Sequence, residues 1–147
     1  MTSWVLKKFN ELTPHELYAI LQLRSEVFVV EQNCVFQDAD DKDQHCWHFM
    51  GWKDGWLAGY IRIVPPGVAY EYASIGRVVT SPKARRTGIG KELVKTGIAK
   101  TYDLFGKVPV KIGAQLYLKK FYESFGFVQS GAVYLEDGIE HIPMLLH

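Results

Sequence analysis

The sequence predicts an α/β protein of the α+β kind, a mixed and mostly antiparallel sheet flanked by helices, as one domain over residues 1–147. Three observations lead there. Strand-like and helix-like segments alternate as β-α-β-β-β-α-β-α-β-β. Ser74 to Gly90 reads as a strand, a short basic loop with two glycines and a helix start. A chain of 147 residues, 48% hydrophobic, is long enough to bury one real core.

Taken in order, Trp4 to Phe9 reads as a first strand. Thr13-Pro14-His15-Glu16 is a capping box with proline at the first helical position. Leu17, Ile20, Leu21, Arg24, Val27, Phe28 and Glu31 then share one helical face. Asp38 to Asp43 reads as an acidic, solvated loop. Trp47 to Trp52 and Trp56 to Val64 read as strands around an Asp54-Gly55 hairpin turn. Pro65-Pro66-Gly67 ends the second strand, and Tyr72 to Thr80 is the strand that feeds the basic loop. In the next helix Ile89, Leu93, Ile98, Tyr102 and Phe105 form a core face. Val110 to Ala114, a helix over Leu116 to Ser124, and strands near Phe127 and His141 complete the domain, with a turn at Asp137-Gly138.

Composition excludes several function classes. A net charge of +1 gives no global field for nucleic acid or an anionic membrane. The four tryptophans cluster around the middle hairpin without a basic-aromatic interleave, so they read as core or cleft walls and not as base-stacking residues. No apolar run is long enough to cross a bilayer, and the first residues lack the charged-then-apolar order of a signal peptide. A cytoplasmic protein with free thiols at Cys34 and Cys46 is expected. No metal site is expected either. Cys34, His45, Cys46 and His48 lack zinc spacing, and the Asp38 to Asp43 run lacks the glycine and the closing glutamate of a calcium loop.

The basic loop carries the chemistry. Glycines at a helix start let backbone amides approach an anion, and Arg85 and Arg86 add positive charge. Gly90-Lys91 is followed by Glu92, which fails the P-loop pattern, and no third glycine completes a dinucleotide fingerprint. Arg85-x-x-Gly88-x-Gly90 instead resembles the pyrophosphate loop of the GNAT superfamily of acyl-CoA N-acyltransferases. The segment Gln115 to Phe127 resembles that family's later helix and strand. Leu23 to Gln32 and Tyr134 to Met144 are similar, more narrowly, to its ElaA-like branch.

The resemblance implies an N-acetyltransferase that takes acetyl-CoA as cosubstrate and a small-molecule or peptide amine as acceptor, as monomer or homodimer. Its donor site would comprise the backbone of Val78, Val79 and Thr80 along the pantetheine arm, and Arg85, Arg86, Thr87, Gly88, Ile89, Gly90 and Lys91 around the pyrophosphate. Tyr122 matches the tyrosine that returns a proton to the departing thiolate; the alternative reading of the residue is a core aromatic beside Phe121 and Phe125. Some family members place a glutamate eleven residues before the loop arginine, where this chain has Ser74. The general base is therefore sought at Glu31 or His48. Arg24, Phe28, Ser74, Arg77 and His141 are the positions expected to meet the acceptor. The run Arg24 to Phe28 also resembles acyl-homoserine-lactone synthases, but their Glu-x-x-Arg is Ser74-x-x-Arg77 here. A second class fits the same loop: an acyl-CoA-binding sensor without catalysis.

Overall fold

The capping box forms as read. Glu16 N–H donates to Thr13 Oγ1 (3.1 Å) and Thr13 N–H donates back to Glu16 Oε1 (2.8 Å), starting α1 at Pro14–Arg24. The computed structural model describes all 147 residues. Beyond Arg24 the α-helical expectation fails. Ser25–Glu31 continues as a π-helix, with Gln32 N–H donating to Val27 O and Cys34 N–H to Val29 O, five residues back. That wider turn puts more residues in each revolution, so the seven-residue return to one face no longer holds. Arg24 is buried and Glu31 is exposed.

The remaining elements are β1 Ser3–Lys8, β2 Trp47–Lys53, β3 Trp56–Val64, β4 Ala73–Thr80, α2 Ile89–Phe105, β5 Val110–Gln115, α3 Lys119–Glu123, β6 Val128–Gln129, β7 Tyr134–Glu136 and β8 Ile139–Leu146. The sheet runs β1-β2-β3-β4-β5-β8-β6, with β7 also paired to β8. Only β4 and β5 are parallel. Sequence reading gave one helix over 116–124; here a 3₁₀ turn at Leu116–Leu118 precedes the short α3. No helix is long and apolar enough to cross a membrane.

Alternation on β2 and β3 sorts the core into two layers. Phe49, Ile61 and Ile63 face α2, whose Gly97 lets the helix close on Ile61: a Cβ there would come within 2.6 Å of Ile61 Cδ1. Met50 and Tyr60 face α1 and meet Ile20, Leu23 and Val27. His48 and Arg62 alternate onto the same side as Met50 and Tyr60. A strand buried on both faces thus carries a charged side chain inward. Arg62 is 5% exposed, and the loop over 38–43 folds over it to supply carboxylates.

Candidate active site

The site begins where two strands part. β4 and β5 make only two register pairs, Ala73 with Val110 and Ser74 with Lys111. Beyond these, β4 follows β3 while β5 follows β8. A bulge drives the separation. Tyr60 pairs with Val79 and Arg62 with Gly76, so Arg77 and Val78 stand opposite a single residue, and Arg77 takes φ 48°. The wedge left between the strands is a cavity of about 550 Å³. Gly76 to Thr80 form one wall and Ile112 to Gln115 the other. Beyond Ser74, the β5-facing edge of β4 has no ladder partner, so its backbone can pair with an extended ligand.

The basic loop closes one end. Ser81 caps a single turn at Pro82–Ala84, and buried Ala84 and Ile89 pack against Ala58 to anchor both ends of the loop. Between them Gly88 takes φ 80° and caps α2 without a side-chain hydrogen bond. The first-turn amides of a 17-residue helix are left for a ligand. Arg85 and Gly90 line the cavity, whereas Arg86, Thr87, Gly88 and Lys91 do not line it and are exposed. Thr87 Oγ1 donates to Ala84 O and tightens the turn.

Arg85 already has a partner in the protein. Its Nη1 donates to Glu31 Oε2 at 2.7 Å, and Nη2 bonds the other carboxylate oxygen. Both side chains are about two-fifths exposed, at 41% and 42%. The hydrogen bonds from Arg85 hold the Glu31 carboxyl below its ordinary pKa. Nearby, Gln32 and Gln115 bond through their side-chain amides at 3.3 Å and tie the π-helix to β5. Phe28 lines the cavity beside them.

Tyr122 reaches the cavity from α3, braced edge-on by Phe121 and Phe127, and is 6% exposed. Burial, then the neighbouring Tyr117, pushes its phenol well above the ordinary value. It remains a protonated donor at neutral pH. At the far rim the β7–β8 hairpin turns through Asp137 and Gly138, with φ 51° and 76°. It presents Glu136, Asp137 and His141 to the cavity.

Several expected site residues lie elsewhere. Arg24 is fully buried behind the wall, where Nε donates to Asp38 (2.7 Å) and Nη1 to Asp43 (2.8 Å). His48 is also fully buried, its ring nitrogens at 2.7 Å from Tyr60 OH and 2.9 Å from Asp43 O. Burial lowers its pKa. Neither Arg24 nor His48 reaches the cavity, so neither meets an acceptor there. Ser74 sits in the paired part of β4, before the strands part, and is also outside. Arg77 does line the cavity, but Asp38 and Asp40 hold its guanidinium.

The acidic loop is therefore only partly solvated: Asp41 stays exposed, whereas Asp38, Asp40 and Asp43 turn to the arginines. Asp38, Asp40 and Asp43 neutralise Arg24, Arg62 and Arg77, and no group of His, Cys, Asp or Glu is arranged to hold a metal. Sequence reading passed over Gln32, Gln115, Tyr117 and Glu136, which line the cavity. Their one signal was position, on segments flanking the wedge.

The model of the acetyltransferase (GNAT) domain matches residues 11–147. Protein ElaA of Escherichia coli is 42% identical over 146 residues, covering 98% of this chain and 95% of that protein. The crystal structure of an acyl-CoA N-acyltransferase from Pseudomonas aeruginosa superposes with a TM-score of 0.96 at 42% identity, over 100% of both chains. That of Escherichia coli ElaA gives 0.93 at 40%, again over 100% of both. A parallel pair that splays beside a glycine-capped helix, with these relatives over nearly its whole length, shows that the chain belongs to the GNAT acyltransferase family.

Proposed function

We propose that the protein transfers an acetyl group from acetyl-CoA to a primary amine by direct attack in a ternary complex. The observation that carries this reading is the wedge between β4 and β5, which joins an open strand edge, a helix N-terminus and a buried phenol in one cavity. The donor's extended arm would pair with the backbone of Val78, Val79 and Thr80. Its pyrophosphate would meet Arg85 and the amides of Gly88, Ile89, Gly90 and Lys91, with Arg86 and Thr87 on the solvent side. The loop leaves room for that group: where a Gly88 Cβ would stand, no atom beyond its own chain neighbours lies within 4 Å.

The amine attacks the thioester carbonyl, the C–N bond forms and the C–S bond breaks. Tyr122 gives its proton to the leaving thiolate and regains one from the attacking nitrogen. Phe28 and Arg77 form the acceptor-side wall. Two free thiols, Cys34 and Cys46, support a reducing cytoplasmic setting.

The test is thiol release from acetyl-CoA across a panel of primary amines. Tyr122→Phe keeps the ring and should lower kcat by ~10²-fold or more, with acetyl-CoA affinity nearly unchanged. Full turnover in that variant would make Tyr122 a packing residue. A wild-type protein that binds acetyl-CoA yet turns over no amine would favour a sensor.

A further inference from the structure

We propose that His141 is the general base for the acceptor amine, with Glu136 placed to face its protonated ring, so the acceptor enters as an ammonium at the β7–β8 hairpin. This rests on the acetyl-transfer reading above and names the base that Ser74 cannot supply. The imidazole is 7% exposed and lines the same cavity as Tyr122. Its Nδ1 lies 2.7 Å from Ile139 O. A carbonyl oxygen only accepts, so Nδ1 must carry the proton. The neutral ring therefore keeps its lone pair on Nε2.

The Nδ1 bond to Ile139 O and a stacked neighbour fix where that lone pair stands. The ring stacks on Tyr134 at 5.7 Å and 26°, which sets its plane. Glu136 Oε2 lies 3.6 Å from Nε2. Once Nε2 gains a proton, the carboxylate faces a cation and stabilises it. The other groups around the ring are Gln115, its register partner on β5, and Asp137 at the turn. Beyond Tyr134 lies Tyr70, with Lys111 4.7 Å over its ring. Across the cavity stand Glu31 and Arg85, which neutralise each other. The hairpin end is thus net acidic, and it favours an ammonium over a neutral or anionic acceptor.

The protons balance. An ammonium gives one proton to His141 Nε2 and becomes a nucleophile. After attack, the second proton lost by nitrogen replaces the one Tyr122 gives to sulfur. The proton on His141 leaves to solvent.

The test combines nitrogen NMR of the His141 ring with kinetics on acetyl-CoA and 1,4-diaminobutane. The neutral ring should show its proton on Nδ1. His141→Gln should lower kcat/KM for the diamine by ~10²-fold or more and abolish the acidic limb that the imidazole contributes. Its acetyl-CoA affinity should stay within about two-fold of wild type, because the phosphate loop is untouched. Glu136→Gln should lower kcat for the diamine while acetyl-CoA affinity and the Nδ1 proton stay as in wild type, a split that a purely structural residue would not produce. A proton on Nε2, or an unchanged limb in His141→Gln, overturns the assignment. If the diamine is not turned over, the tautomer alone decides. Failure of the wild-type protein to bind acetyl-CoA would instead overturn the donor reading.

Discussion

Two arginine–carboxylate clusters lie on either side of the cavity wall, and they do opposite things with the same chemistry. Behind the wall, Arg24 and Arg62 are 0% and 5% exposed and share Asp43, while Asp38 and Asp40 complete the network and also clamp Arg77. In front of it, Arg85 and Glu31 pair across the cavity mouth in solvent. A buried charge deprived of its partner has no water to turn to, so the inner cluster has become structure. An exposed pair is worth little and is easily exchanged, so the outer one stays open to a ligand. Burial, not residue type, separates scaffold from site.

The sharpest way to break that contrast is at Asp43. Asp43→Ala leaves Arg24 and Arg62 short of a counterion in the interior, and should cost about 3–5 kcal/mol in urea unfolding. A loss under about 1 kcal/mol would mean water or Asp38 and Asp40 compensate, and the inner cluster is no more structural than the outer.

Acid should attack the inner cluster next. Burial holds the His48 imidazole below its ordinary pKa, so the unfolded chain takes up that proton first. Burial alone would raise the Asp43 carboxyl, yet hydrogen bonds and charge from Arg24 and Arg62 outweigh it and hold the carboxyl low. Both depressed groups stabilise the fold above their unfolded pKa values and lose that contribution as pH falls. Stability measured by denaturant should therefore decline first below about pH 6.5, through His48, and again below about pH 4, through the carboxylates. A profile flat from pH 7 to 5 would contradict the burial of His48.

The smallest effect belongs to the outer pair. Glu31→Gln frees Arg85 from an exposed partner worth about 0.2–1 kcal/mol. Acetyl-CoA affinity should rise no more than a few-fold, with the melting temperature almost unchanged. A fall in affinity would show that Glu31 positions Arg85 for the ligand and does not compete with it.

Much of this contrast was hidden in the sequence for physical reasons. Signals that act over four residues were legible: the Thr13–Glu16 capping box and the Asp54-Gly55 turn form where they were read. The Arg85-x-x-Gly88-x-Gly90 loop does cap α2 beside the cavity. An α-helical period through residues 25–31 puts Arg24 and Glu31 on one face, but the chain forms π turns there. Arg62 carries no signal of its own within an apolar strand run, and Asp38 to Asp43 reads as solvated because charge runs usually are. Each half of that network makes sense only beside the other, and the pairing joins residues up to 39 positions apart.

The central claim is that the β4–β5 wedge holds an acyl-CoA with its pyrophosphate on the Arg85 to Gly90 loop. Calorimetric titration of acetyl-CoA into wild-type protein and Gly88→Asp tests it most directly. Asp tolerates the left-handed backbone at Gly88 at a cost of about 1–2 kcal/mol, and its Cβ meets no protein atom within 4 Å, so the variant should fold. Its carboxylate would nonetheless stand at the anion site. The account predicts binding by the wild type and a loss of ~10²-fold or more in the variant, comparable to one or two charge-assisted hydrogen bonds. Equal affinity in a folded Gly88→Asp variant would contradict it.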